Sequence, residues 1–310
     1  MSTAIAPNPG SGTWGPLIEA VVSAPLAMST KKRYARKLRV FLAWWDMSGR
    51  EPFSAALIEK YVGALHAEKY PAFDINHSLV AIKRLARAAA LRGWVDIAIL
   101  EHIKMVEGPK VHATRIRQWL SEPQVEALMA VIDRDTLTGK RDTVLIGFLL
   151  YCGLRREEAA TASFEHIRII DGQPCLVNLV CKGDKPLTKP MPRWLFTAIQ
   201  TWVDAAGLTE GYILRALTGW DPQVRTENRM GNSSINMIVR SYGTKIGMPN
   251  ITPHDLRRTF GRVARKKGFD LDQIQQSYGH AHLSTTQHYI GGTMDFENPP
   301  CNALPAPKGL

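Results

Sequence analysis

Apolar positions recur at helical spacing along most of this 310-residue chain. Tyr34, Leu38, Phe41 and Trp45 fall at i, i+4, i+7 and i+11, one face of a helix that Ser29 or Thr30 can cap. A second helix opens at Ser54 with Ile58, Tyr61, Val62 and Leu65 inward, and the Pro71–Phe73 turn ends it. A third carries Leu79, Ile82, Leu85 and Ala89 as its stripe and closes at Arg92-Gly93. The fourth runs from Asp96 to about Val106, with Ile97, Leu100, Ile103 and Met105 as its apolar positions. Residues 15–107 thus predict a unit of four short helices, and the Pro-, Gly- and Ser-rich residues 1–14 predict a disordered N-terminus.

After a Gly-Pro break, residues 108–118 are poor in apolar side chains and carry Lys110, Arg115 and Arg117, the pattern of an interdomain linker. A second domain, 119–292, begins with a helix at Ser121. Its most apolar run, Val144–Gly153, is far short of the roughly 20 residues that a membrane span needs, so it predicts a core helix. The period then changes to that of strands. Arg168–Ile170, Cys175–Val180 and Leu187–Met191 are short segments parted by turn residues, which predicts a three-stranded hairpin sheet. Helices resume at about Trp194–Ala205 and Ser233–Ile246, and residues 293–310 form a proline-rich tail.

Charge narrows the function. With 39 Lys and Arg against 28 Asp and Glu, the net charge of +11 calls for a polyanionic partner, nucleic acid before membrane. Neither end shows a lipidation motif or a signal-peptide layout. The four cysteines form no C-x-x-C pair, which points to a reduced cytoplasmic protein without a metal site. Lys32, Arg36 and Arg39 on the first helix, with Lys83, Arg84 and Arg87 on the third, are the candidate DNA-binding cations. A solvated face is the usual meaning of such runs, and the overall charge tilts the balance toward phosphate contacts. Trp45 belongs to the apolar stripe, while Trp44 is open to either core or base stacking.

Reactive side chains gather near the end of the chain, in TPHDLRRTF and SYGHAHLSTTQHYIGG. They supply His254, Arg257, His280 and Tyr289, with Arg258 and His282 as neighbours. Positions three apart share a helix face, so His254 and Arg257 are expected to point the same way. A guanidinium can grip two phosphate oxygens, an imidazole can share a proton and a phenol can attack, which is phosphate-ester chemistry without a metal. A basic surface helix followed by a buried tyrosine accounts for the same stretch equally well. Elsewhere, Arg155 follows a core helix in C-G-L-R, where Glu158 can hold it, or it caps that helix's carbonyls. Lys182, at the hairpin tip in VCKGDKP, taken alone reads as an ordinary turn lysine. Tyr278, Tyr151 and Tyr242 read as core or surface tyrosines, and the pattern of His280, His282 and His288 is too weak for zinc.

Taken in order, GLRREE, CKGDK, HDLRRTF and YGHAHLSTTQHY resemble the tyrosine recombinase (phage integrase) family over about residues 119–292. The resemblance implies a mainly α fold with a small antiparallel sheet. It has an N-terminal four-helix core-binding, DNA-gripping domain and a C-terminal α+β catalytic domain. It implies a site-specific DNA recombinase in which Tyr289 attacks the phosphodiester to give a 3′-phosphotyrosyl link and a free 5′-hydroxyl. Arg155 and Arg257 would stabilise the pentavalent transition state, with Glu158 in support. Lys182 would protonate the leaving oxygen, His254 would assist proton removal from Tyr289, and His280 would hydrogen-bond the phosphate. Arg258 doubles the second arginine, and Arg257 is chosen because it stands three past His254. No metal, ATP or other cofactor is implied. The expected partner is double-stranded DNA, bound by a homotetramer that is a monomer when free, in the cytoplasm at the nucleoid. A type IB-like topoisomerase shares the chemistry, and a non-catalytic DNA-binding accessory protein would share the fold.

Overall fold

The computed structural model describes residues 14–24, 26, 28–110, 118–180, 186–217, 224–280 and 282–290, and the side chains of these except 29, 180, 224–227 and 288–290. The chain divides into two compact units, Met1–Arg115 and Ile116–Leu310. Most of the linker expected at 108–118, and the tail 293–310, lie outside the described residues.

The first unit holds α1 (Trp14–Ser23), α2 (Met28–Met47), α3 (Ala55–Ala67), α4 (Ala72–Ala90) and α5 (Ile97–Met105). The four expected helices are α2 to α5. The Ser54 hydroxyl accepts the Leu57 amide at the start of α3, and Asp96 accepts that of Ala98 at the start of α5. α1 is an addition, and Trp14, assigned to the N-terminal tail, is its first and buried residue. Gly15 and Pro16 look like breakers, but a first turn has no intrahelical use for its amides, so proline costs little there. Trp14, Leu17 and Val21 then repeat on one face and join Leu38, Phe41, Trp45, Tyr61, Ile82 and Leu85 in one apolar core. Two expected apolar positions of α5 are instead exposed, Ile97 and Met105. Met105 lies five residues past the buried Leu100, about 140° around the helix from it.

The second unit begins with α6 (Glu122–Ala130), α7 (Leu137–Leu150) and α8 (Arg156–Thr161). A three-stranded antiparallel sheet of β1 (Ile167–Ile170), β2 (Gln173–Val180) and β3 (Pro186–Pro190) follows, in that order. Asp171 and Gly172 both take positive φ in the β1–β2 turn, the tight hairpin geometry that such a pair favours. Then come α9 (Arg193–Ala205), the pair β4 (Arg215–Leu217) and β5 (Val224–Arg229), α10 (Asn232–Lys245), α11 (Pro253–Lys266), α12 (Leu271–Tyr278) and α13 (Leu283–Ile290). The β4–β5 ribbon was not foreseen. The core forms around α7, whose residues 141–150 are all buried. α10 is tied to it by a buried polar group: Tyr242 Oη donates to Asp142 Oδ2 at 3.0 Å, and Arg141 donates to Asp142 Oδ1 through Nε and Nη2 at 2.9 and 2.7 Å. Among the described residues, no helix is long and apolar enough to cross a membrane.

Candidate active site

The site grows from the turn after α7. Gly153 takes φ +57°, and a Cβ there would meet Phe260 Cδ1 at 2.7 Å, so both the backbone sign and the space call for glycine. The turn sets Arg155 just ahead of α8 and Glu158 in its first turn. Glu158 reaches back, taking the Arg155 amide on Oε2 at 2.8 Å and its guanidinium on Oε1 at 2.6 Å. One carboxylate thus satisfies an orphan helix amide and fixes the arginine. Arg155 is half-buried, and Glu158 is 3 % exposed.

α11 supplies the second arginine. Its start is fixed by Pro253 in the first turn and by Asp255, whose Oδ2 accepts the Thr252 amide at 3.0 Å and its hydroxyl at 2.6 Å. One turn in, Arg257 is 1 % exposed. Its Nη1 donates to the Gly153 carbonyl at 2.5 Å and lies 3.5 Å from Glu158 Oε2. Its Nη2 donates to the Tyr278 carbonyl at 2.8 Å and faces His280 Nε2 at 3.3 Å. Arg258 turns elsewhere, to Asp255 Oδ1 at 2.9 Å and the Gln118 carbonyl at 3.4 Å. The arginine three past His254 is therefore the one beside Glu158.

His280 is delivered by the end of α12. Gly279 closes that helix in the left-handed region, φ +64°, where a Cβ would strike Leu187 at 2.8 Å. The His280 ring stacks on Tyr278 with centroids 4.9 Å apart, and its Nδ1 lies 2.9 Å from Thr286 Oγ1 on α13. Burial, then Arg257, Arg155 and Lys189, push its pKa down to about 4, against the pull of Glu158. The ring is neutral at pH 7, and because a guanidinium only donates, Nε2 accepts and the proton belongs on Nδ1. Tyr278 is fully buried, its hydroxyl donating to the Arg257 carbonyl at 2.7 Å while its ring lies 4.5 Å from that guanidinium.

Lys189 completes the cluster and was not foreseen. On β3 the side chains alternate, with Leu187 and Lys189 inward. Lys189 is 2 % exposed, and its Nζ stands 3.9 Å from Glu158 Oε2. A charged residue at an inward strand position was the signal available in the sequence. Glu158 therefore faces three cations. Burial alone would raise its pKa, but Lys189, Arg257 and Arg155 outweigh it and hold the carboxyl below its usual value. An opposite charge near 4 Å is worth roughly 4 kcal/mol at the effective dielectric of a protein site. Burying a carboxylate costs several kcal/mol. One partner about offsets that cost, and three leave the site positive.

The remaining expected residues fall differently. His254, in the first turn of α11, is exposed, so it does not share the buried setting of Arg257. Its pKa is lowered, first by the protein mass around the ring and then by Arg257 and Arg258. Although the ring is open to solvent, the guanidiniums act in the same direction, so the sign does not rest on burial. Lys182 lies outside the described residues. Tyr289 is in α13, one turn beyond Thr286, and its side chain is outside the described set. In the first unit Lys32, Arg36, Arg39, Arg84 and Arg87 are exposed. Arg84 lies over the Tyr34 ring at 5.5 Å. Lys83 instead donates to the Lys104 carbonyl at 2.7 Å near the end of α5, and Lys37 is buried against Asp74 at 2.9 Å.

The sequence profile described as the Phage integrase family matches residues 118–294, more than half of the chain. The chain belongs to that family. The tyrosine recombinase XerA of Pyrococcus furiosus is 29% identical over 264 residues, covering 83% of each chain. The tyrosine recombinase XerC of Chlamydia muridarum is 28% identical over 285 residues, covering 89% of this chain and 82% of its own. The fold is that of a solved XerH site-specific recombinase bound to its difH substrate, TM-score 0.67 at 16% identity, covering 90% and 81% of the two chains. It is also that of a lambda integrase dimer bound to a core site, TM-score 0.65 at 12% identity, covering 91% and 96%. This family member is a tyrosine recombinase, an enzyme that breaks and rejoins DNA. The topoisomerase and accessory-protein alternatives are not favoured.

Proposed function

We propose that the enzyme cuts one DNA strand at a time through Tyr289, with Arg155 and Arg257 holding the scissile phosphate. The observation that carries this is the charge balance at Glu158, one buried carboxylate among Arg155, Arg257 and Lys189. Two surplus positive charges suit a phosphodiester whose non-bridging oxygens gain charge as the pentavalent state forms. The Nη1 and Nη2 atoms of Arg257 are engaged with Gly153, Glu158, Tyr278 and His280, so a phosphate oxygen gripped through either of them exchanges with one of these contacts. The exchange falls on His280. A phosphate oxygen placed between Arg257 and the ring accepts from both, and its negative charge raises the ring's pKa, so Nε2 becomes a donor.

His254 then assists proton removal from Tyr289. An accessible imidazole with a lowered pKa is neutral at pH 7 and able to accept. Lys182 protonates the leaving 5′-oxygen. The phosphotyrosyl link conserves the energy of the bond, so rejoining needs neither ATP nor metal. Lys32, Arg36, Arg39, Arg84 and Arg87 contact the backbone phosphates of double-stranded DNA. Lys83, whose ammonium gives one proton to the Lys104 carbonyl, offers the others to the same DNA backbone. Recombination joins two duplexes with four active sites, so the assembly on DNA is a homotetramer, formed in the cytoplasm at the nucleoid.

Covalent trapping tests the reading. A nicked duplex, selected from a random-sequence pool by capture on the wild-type protein, gives a denaturant-resistant adduct with wild type and none with Tyr289→Phe, in EDTA as in buffer. Equal behaviour of the two proteins, or strict dependence on added magnesium, contradicts it.

A further inference from the structure

Lys189 occupies a position that packing alone would give to an apolar residue. It pairs across the sheet with Leu176, which is fully buried, and points inward beside Leu187. Its Nζ instead donates to the Ser277 carbonyl at 2.6 Å and the Cys152 carbonyl at 3.4 Å, and stands 3.9 Å from Glu158 Oε2. An ammonium has three protons, and among the described residues these three acceptors lie around it. Each acceptor begins a short path to the chemistry. Ser277 is in the last turn of α12, three residues before His280. Cys152 precedes Gly153, whose carbonyl holds Arg257. Glu158 holds Arg155 and contacts Arg257. Lys189 itself stands seven residues after Lys182 in the sequence.

We propose that Lys189 is a positioning residue for strand cleavage, tying β3 to Glu158 and to the end of α12 so that Arg155, Arg257 and His280 are held in register around one phosphate. This rests on the phosphate-binding reading of the site given above. Lys189 has no direct contact with the DNA in this role and acts through Glu158 and two main-chain carbonyls. A leucine or methionine would fill the space but leave both carbonyls without this donor and Glu158 with one cation fewer. Among the described residues, the groups facing the His280 ring are Arg257, Arg155, Lys189 and Glu158, with Tyr278 stacked on its face and Thr286 on the far nitrogen. Removing the Lys189 charge therefore changes the ring's titration as well as the alignment, which a packing role would not do.

The test uses full-length Lys189→Met, Lys189→Arg and wild-type protein with the captured nicked duplex as probe. Lys189→Met is expected to bind the probe as wild type does, to cleave it at least about tenfold more slowly in a single turnover, and to show His280 titrating at higher pH by NMR. Lys189→Arg recovers most of the rate. If Lys189→Met does not fold, Lys189→Gln, which keeps donors for the carbonyls but drops the charge, carries the same expectations. Cleavage by the charge-free variant within about twofold of wild type, or an unmoved His280 titration, overturns the proposal. So does a Lys189→Arg variant as slow as Lys189→Met. The titration is read without DNA, so a wild-type protein that traps no duplex refutes the recombinase chemistry and leaves the coupling of Lys189 to His280 to be judged by itself.

Discussion

Asp142 and Glu158 are both buried carboxylates of the second unit, and their surroundings differ in one respect that decides what each can do. Asp142 has one guanidinium, Arg141, and one phenol, Tyr242. Burial outweighs them and raises its pKa. Glu158 has Lys189, Arg257 and Arg155, which outweigh burial and lower it. The first cluster is nearly self-contained and fastens α10 to α7. The second keeps more positive charge than it cancels, an arrangement that folding alone does not explain and an anionic ligand does. Charge surplus, more than burial or polarity, separates a site from a fastening.

Substitutions in and around the two clusters test that contrast. The largest effect is expected at Arg257. Lysine there keeps the charge but cannot span Gly153, Tyr278 and Glu158, so single-turnover cleavage should fall about 10²- to 10³-fold, with DNA affinity by gel shift changed far less. Glu158→Gln leaves two buried cations, Arg257 and Lys189, and the half-buried Arg155 without their counterion and should cost about 3–5 kcal/mol in urea unfolding. Asp142→Asn should cost less, because the amide oxygen still accepts from Arg141 and one cation remains. Equal costs would remove the distinction drawn between the two clusters.

The two carboxylates should also part on titration, because their pKa values move in opposite directions. Glu158 is lowered in the folded state, so its contribution is present above the ordinary value of 4.5 and is lost as pH falls through the folded value. The wild-type advantage over Glu158→Gln should shrink in acid accordingly. Asp142 is raised, so its contribution is present below 3.8 and lost as pH rises through the folded value. Stability relative to Asp142→Asn should therefore fall, not rise, as pH increases across that window. Smallest of all, Tyr242→Phe removes one hydrogen bond from the contained cluster and should cost about 1 kcal/mol with cleavage unchanged. A large loss of cleavage would mean that the two clusters are not independent.

Much of this organisation is legible in local pattern. The period of Tyr34, Leu38, Phe41 and Trp45 lies on α2, the run from Val144 fills α7, and the turn at Asp171-Gly172 sets the hairpin. The spacing from His254 to Arg257 selects the arginine that reaches Glu158. The rest depends on partners that pattern does not name. Lys189 matters because Ser277 and Glu158 surround it, and neither is near it in sequence. Lys83 resembles its neighbours Arg84 and Arg87, yet it alone of the three is given a carbonyl of α5 as a partner. Trp14 could be placed on a helix only by discounting Gly15 and Pro16, which ordinarily argue against one. Long-range contacts decide each of these cases, while helical and strand periods report only on near neighbours.

Peptide mapping of the trapped adduct shows whether the phosphorus of DNA is transferred to Tyr289. Trypsin has no site between Lys267 and Lys308, so Tyr278 and Tyr289 arrive on one fragment and must be separated by fragmentation in the mass spectrometer. Tyr278 is buried with its hydroxyl bonded to the Arg257 carbonyl, which bars it from attack. The nucleotide mass is expected on Tyr289 alone. A nucleotide on Tyr278, or on any residue outside that fragment, would contradict it.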